Sequence, residues 1–111
     1  MDSFFHKNDR RGKDRFQANT MVQYFIKKRS ARYMDCDLVD VSSNGIAIHV
    51  PASESIVIGM DVSLEICVPG SLDQMTVSGR VHRVLRGEKI LVGIKLDIPL
   101  EVHVLDRLIL R

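Results

Sequence analysis

No apolar run in this chain approaches the ~20 residues that a membrane-spanning helix needs. Met1 to Arg15 is polar and charged, without the apolar stretch of a secretory signal. The two cysteines, Cys36 and Cys67, are too few for a disulfide framework or a four-cysteine zinc site. Both fall in strand-like runs, where a reduced, buried thiol is the expectation. His6, His49, His82 and His103 lack metal-ligand spacing, such as two histidines four apart on a helix. His49 and His82 lie opposite the apolar residues of their runs, where a solvent-facing histidine is ordinary. There is no glycine-rich phosphate loop, no serine in a nucleophile elbow and no cysteine with a catalytic signature. Asp35 and Asp37 would share one outer strand face, where solvation accounts for both. These absences leave no general acid–base pair and no metal centre, and the expectation is a cytoplasmic protein that is not an enzyme.

What remains is an ordinary globular composition: 111 residues, 45% hydrophobic and 27% charged, without internal repeats, low-complexity stretches or an interdomain linker. A chain of this length buries roughly two thirds of its unfolded surface, enough for one core. The net charge of +2 is unevenly spread. Residues 1–32 carry nine Lys and Arg against three Asp, or +6, and residues 33–111 carry seven basic against eleven acidic side chains, or −4. All six aromatic residues (Phe4, Phe5, Phe16, Tyr24, Phe25, Tyr33) fall in the first 33 positions. A basic, aromatic-bearing segment ahead of a mildly acidic body points to an anionic partner with flat rings.

Met1 to Asn19 has no hydrophobic period and reads as a flexible arm, with a single domain over residues 20–111. Beyond it, short runs alternate with period two. Met21 to Ile26 is rich in β-branched and aromatic types and leads into the basic turn Lys27–Ser30. Met34, Cys36 and Leu38 share one parity with Asp40, and the run ends in the polar turn Asp40–Gly45. Ile46, Ile48 and Val50 alternate with Ala47 and His49; Val62, Leu64, Ile66 and Val68 with Ser63, Glu65 and Cys67. Met75, Val77, Gly79, Val81 and Arg83 form one parity of the next run, and Arg86–Lys89 is a tight connection into Ile90–Leu96. Six strands without intervening helices predict an antiparallel barrel or sandwich. In the tail, Leu100, Val104, Leu105 and Leu108 suit a short helix starting near Pro99, while Val102, Val104 and Ile109 would also suit a strand. The helix is the preferred reading, since it would plug one end of a small barrel.

Two segments carry recognition chemistry. In Asp9–Phe16, Arg10, Arg11 and Arg15 offer guanidinium forks that bond guanine O6 and N7, stack on a base, or pair with phosphate oxygens. In Asp40–Gly45, the Asp40 carboxylate can accept from guanine N1–H and N2–H₂, and Ser42 offers a hydroxyl. Gly45 would permit a positive φ or a close backbone approach. The same Asp and Ser also suit simple self-capping of a polar turn.

Together, Arg11–Arg15 as RxxxR and Asp40–Gly45 as DxSxxG, with 24 residues between Arg15 and Asp40, resemble the PilZ domain, a bacterial receptor for cyclic di-GMP. The similarity extends to Gly79–Arg83 and to Val92–Leu96, where Leu96 stands at a position often held by phenylalanine. The resemblance implies a six-stranded antiparallel β-barrel with a helix nearby and the dinucleotide on its outer face. Arg11 and Arg15 would hold guanine edges and phosphates, and Asp40, Ser42 and Gly45 would form the complementary rim. Arg10, just ahead of the first motif, stands where an arginine accompanies two stacked ligand molecules per domain. The chain is similar to the stand-alone members, which have no output domain. That implies a protein effector partner, with the receptor a monomer or weak dimer that neither enters a membrane nor binds nucleic acid.

Two rival readings use the same residues. A small single-stranded nucleic-acid-binding barrel would use Phe16 and Lys27–Arg29, but the body is acidic and no row of aromatics lies along its strands. An adaptor of the same fold that binds no ligand would have no need of the arginines or of the Asp40–Ser42–Gly45 set.

Overall fold

The computed structural model describes residues 21–67 and 74–108. The expected arm, residues 1–19, and with it Arg10, Arg11 and Arg15, lies outside the described residues. Six strands and one helix come in the order β1 (Val22–Ile26), β2 (Met34–Val41), β3 (Gly45–Pro51), β4 (Asp61–Cys67), β5 (Gln74–Arg86), β6 (Lys89–Leu96) and α1 (Val102–Leu108). All neighbours pair antiparallel, in the order β1-β2-β3-β6-β5-β4. Pairing of β1 with β4, from Val22 opposite Ile66 to Ile26 opposite Val62, closes the sheet and makes it a barrel rather than a sandwich. Closure removes the unpaired edges that an open sheet of this size would expose.

The period-two apolar sets fill the interior. Val22, Tyr24 and Ile26 of β1 are buried, with Ile46, Ile48 and Val50 of β3, Val62, Leu64 and Ile66 of β4, and Ile90, Val92, Ile94 and Leu96 of β6. Each such side chain contributes roughly 1.5–3 kcal/mol on leaving water. Tyr24 is wholly buried, yet its phenol reaches a partner, donating to Glu54 Oε2 at 2.6 Å. Glu54 belongs to the loop between β3 and β4, which also supplies buried Ile56. Arg29 Nη1 donates to Ser55 O at 3.1 Å and Arg86 Nη2 to Ile56 O at 2.8 Å, pinning that loop to the barrel.

Strict alternation fails at two places, and both are β-bulges. In β2 the register shifts between Leu38 and Asp40, so Leu38 pairs with Ile48 and Asp40 with Ala47. In β5 it shifts between Val81 and Arg83, so Val81 pairs with Ile94 and Arg83 with Gly93. Each extra residue (Val39, His82) reverses the parity of the rest of its strand. Val41 therefore joins the core instead of lying on the face opposite Leu38, and Val84 replaces Arg83 as the next residue packed inward. The tail is a helix, not a strand. It starts at Val102 rather than near Pro99, with Glu101 O accepting from Val104 N and Leu105 N, each at 3.0 Å. Leu100 and Leu108 join the buried cluster, and Val104 and Leu105 pack against it. The two thiols are free but only partly buried, and Cys36 Sγ leans on Val22 O at 3.6 Å.

Candidate functional site

Asp40, Ser42 and Gly45 come together at the β2–β3 connection. β2 runs on through Val41 and β3 starts at Gly45, so the turn itself is only Ser42–Ser43–Asn44. Backbone hydrogen bonds hold this turn from several sides. Ser42 N donates to Gly45 O at 2.9 Å, Leu96 N to Asn44 O at 2.9 Å, and Leu100 N to Ser43 O at 2.7 Å. The hairpin is thereby tied to the end of β6 and to the segment leading into α1. Val41 N donates to Asp40 Oδ1 at 2.9 Å, and Ser42 Oγ sits 3.5 Å from Gly45 O. The self-capping contacts expected of a polar turn are present, and they orient the carboxylate and hydroxyl without burying either. Gly45 lies in the β3–β6 ladder opposite Lys95, and among the described glycines the positive φ belongs to Gly59, at 100°.

The bulge in β2 decides where Asp40 points. By alternation from Leu38 it would face the interior. The extra residue instead places it beside Ala47, on the outer row that continues through Gly93 of β6. β1 starts at Val22 opposite Cys36, so β2 extends past the start of β1 by the five residues Asp37–Val41. Asp40 lies four residues beyond Cys36, or ~13 Å along β2 at strand rise. Met21, which leads into β1, lies on that side of the barrel.

By alternation Arg83 belongs with the inward set, and Lys95 entered only as one member of the family-like run Val92–Leu96, with no site role. Both stand on the outer face beside this hairpin, Lys95 opposite Gly45 and Arg83 opposite Gly93. Periodicity alone could not find Arg83, because a bulge has no signature in an alternating pattern. The pair leaves an electrostatic trace at His82: burial lowers its pKa, and the positive charges of Lys95 and Arg83 lower it further. Elsewhere on the surface, Gln23 donates to Asp35 and Lys89 to Asp37, both at 2.9 Å, so those exposed carboxylates already have protein partners.

An apolar groove of about 400 Å³ lies between β5 and the segment before α1, lined by Met75, Val77, Ile98, Leu100 and Val104. It offers aliphatic surface, whereas the hairpin face offers a carboxylate, a hydroxyl and cations at one place, which suits an anionic ligand with polar ring edges. No group of three or more metal-binding side chains occurs among the described residues, and no helix among them is long and apolar enough to cross a membrane.

A small closed antiparallel barrel carrying a polar hairpin at the start of β3 defines the class of protein. The sequence profile of the PilZ domain matches residues 9–111. This chain belongs to the PilZ domain family, whose members are receptors and adaptors of the cyclic di-GMP-binding type, generally without enzymatic activity. Comparison with curated protein sequences yields no match. Among solved structures, the chain is similar to the Bacillus subtilis inhibitor of motility MotI/DgrA, with a TM-score of 0.59 and 17% identity over 80% of this chain and 43% of that one. The chain thus spans less than half the length of that protein, and the likeness concerns the fold.

Proposed function

We propose that this chain is a cyclic di-GMP receptor in which ligand draws the arginine-rich arm onto the barrel and changes the surface offered to a protein partner. The observation that carries the reading is the outward Asp40 of the rigid β2–β3 hairpin, held where β2 outruns β1. Asp40 accepts from guanine N1–H and N2–H₂, Ser42 bonds base or phosphate, and the backbone at Gly45 allows close approach. Arg15 is six residues before Met21, and extended chain of that length reaches up to ~20 Å. That exceeds the ~13 Å from Cys36 to Asp40 along β2. Arg11 and Arg15 supply the opposing grip on phosphates and guanine edges, and Arg10 stacks on the added guanine when two ligands bind.

The mechanism is a population shift. The ligand favours the arm-closed state because only that state brings the guanidinium groups and the hairpin to the same molecule. Each charge-assisted bidentate contact is worth ~1–3 kcal/mol, so Arg11→Ala or Arg15→Ala should weaken binding about tenfold or more. Calorimetric titration of these variants tests the reading, with hydrogen exchange over residues 1–19 following the arm. Equal affinity in the parent and Arg11→Ala would contradict the assignment. A single-stranded nucleic-acid reading finds little support in the barrel: Phe25 and Tyr33, the partly buried aromatics among the described residues, face each other at 5.2 Å rather than forming a stacking row.

A further inference from the structure

The two bulges lie at opposite ends of one row of the barrel. Across β2, β3, β6 and β5 that row reads Asp40, Ala47, Gly93, Arg83. Its middle members are small and buried, Ala47 at 3% exposure. Both end members face outward only because an extra residue precedes each: Val39 before Asp40, His82 before Arg83. Bulges that re-aim a side chain recur beside functional sites. The next outer row reads Gly45, Lys95, Arg80, Asp61 across β3, β6, β5 and β4. Lys95 thus adjoins the hairpin glycine directly and lies one strand from Arg83. Arg80 is tied to Asp61 at 3.1 Å. Between Asp40 and Arg83 lie three interstrand steps, ~14 Å along the sheet, with only a methyl group and a glycine as floor.

We infer that Arg83 and Lys95 form a second cationic wall of the binding face, across the Ala47–Gly93 floor from Asp40, and that they hold a phosphate of the bound dinucleotide. This rests on the cyclic di-GMP reading above and adds a fixed contribution to it. Arg83 and Lys95 are set by strand register, opposite Gly93 and Gly45. A face that holds phosphate through residues fixed by the sheet gives the ligand a foothold on the barrel itself, with Asp40 positioned for a base edge.

The test is titration of the full chain with cyclic di-GMP, comparing the parent with Arg83→Ala, Lys95→Ala and the double variant, each checked for an unchanged thermal melt. Lys89→Ala, which removes an outer cation tied to Asp37 on another part of the face, is the control. The expected result is about fivefold weaker binding or more for each single variant, a larger loss and a shallower salt dependence for the double, and no change for the control. The imidazole of His82, flanked by both cations, gives a readout on the unmodified chain: its NMR signals should shift on saturation with ligand. Binding by the parent with undiminished binding by the folded double variant, or an unmoved His82, overturns the wall alone. Absence of binding by the parent overturns the receptor reading, and the wall with it.

Discussion

Replacing Gly79 by alanine should be far more damaging than the same change at Gly59 or Gly87. Gly79 lies in β5, paired with Val62 on one side and Leu96 on the other. A Cβ at this position would lie 2.3 Å from Lys95 O, 2.7 Å from Ile94 Cγ2 and 3.0 Å from Lys95 C. The nearest of these is backbone inside the β5–β6 ladder, so no rotamer change relieves the overlap and the strands must part. Overpacking of a well-packed core costs ~1–3 kcal/mol and occasionally more; with a backbone clash this close, we expect about 3 kcal/mol. For a domain of this size that corresponds to a fall in Tm of ~13 °C. Gly59→Ala meets nothing within 4 Å but sits at φ 100°, so its cost is backbone strain alone, ~1–2 kcal/mol. Gly87→Ala meets only Lys89 O at 3.6 Å, an ordinary contact, and should be close to neutral. Thermal melts followed by circular dichroism rank the three variants. A Gly79→Ala protein melting within a few degrees of the parent, or less affected than Gly59→Ala, would refute the packing argument. The same variant should perturb Lys95, whose carbonyl takes the overlap, and so weaken ligand binding.

Tyr24→Phe removes the 2.6 Å bond that ties the β3–β4 loop to the barrel interior through Glu54; a loss of ~1–2 kcal/mol is expected in urea denaturation, with faster amide exchange across that loop. Burial, and secondarily Asp37 and Asp35, pushes the Cys36 thiol up from 9.0 to about 12. The folded state keeps this proton where the unfolded state has lost it, so the stabilisation is complete below pH 9.0 and fades as pH rises toward about 12. Tyr24, also raised by burial and by Glu54, acts in the same direction at higher pH. Unfolding free energies from urea denaturation should therefore hold up to about pH 9 and fall above it toward pH 12, by at most ~1.4 kcal/mol per pH unit for Cys36, and fall less in Cys36→Ala. His82 should titrate in NMR below its ordinary 6.5, and Lys95→Ala should move the midpoint back upward.

Most of the barrel was legible because one face of each strand is buried, which writes period two directly into β1, β3, β4 and β6. Closure into a barrel came through the motif resemblance and not through periodicity, since alternation says which face is inside and nothing of whether β1 meets β4. Ile56 escaped notice because it opens an unbroken apolar run, Ile56-Val57-Ile58, of which only Ile56 is buried, and a run without alternation does not say which member turns inward. The bulges were invisible for the opposite reason: alternation continued through Asp40 and Arg83 reads as regular strand, and only the register shows that both turn outward. On the binding face, Asp40, Ser42 and Gly45 were found through their motif, a local chemical pattern. Lys95 and Arg83 come from two different strands and become neighbours of that motif only through sheet order.

Whether this chain is a receptor is tested most simply by calorimetric titration of the unmodified chain and of Asp40→Ala with cyclic di-GMP. Saturable binding by the unmodified chain is predicted, with two ligands per chain if Arg10 acts as the resemblance implies, and a loss of about tenfold or more in Asp40→Ala. No binding by the unmodified chain, or equal affinity in the folded Asp40→Ala protein, would contradict the receptor reading.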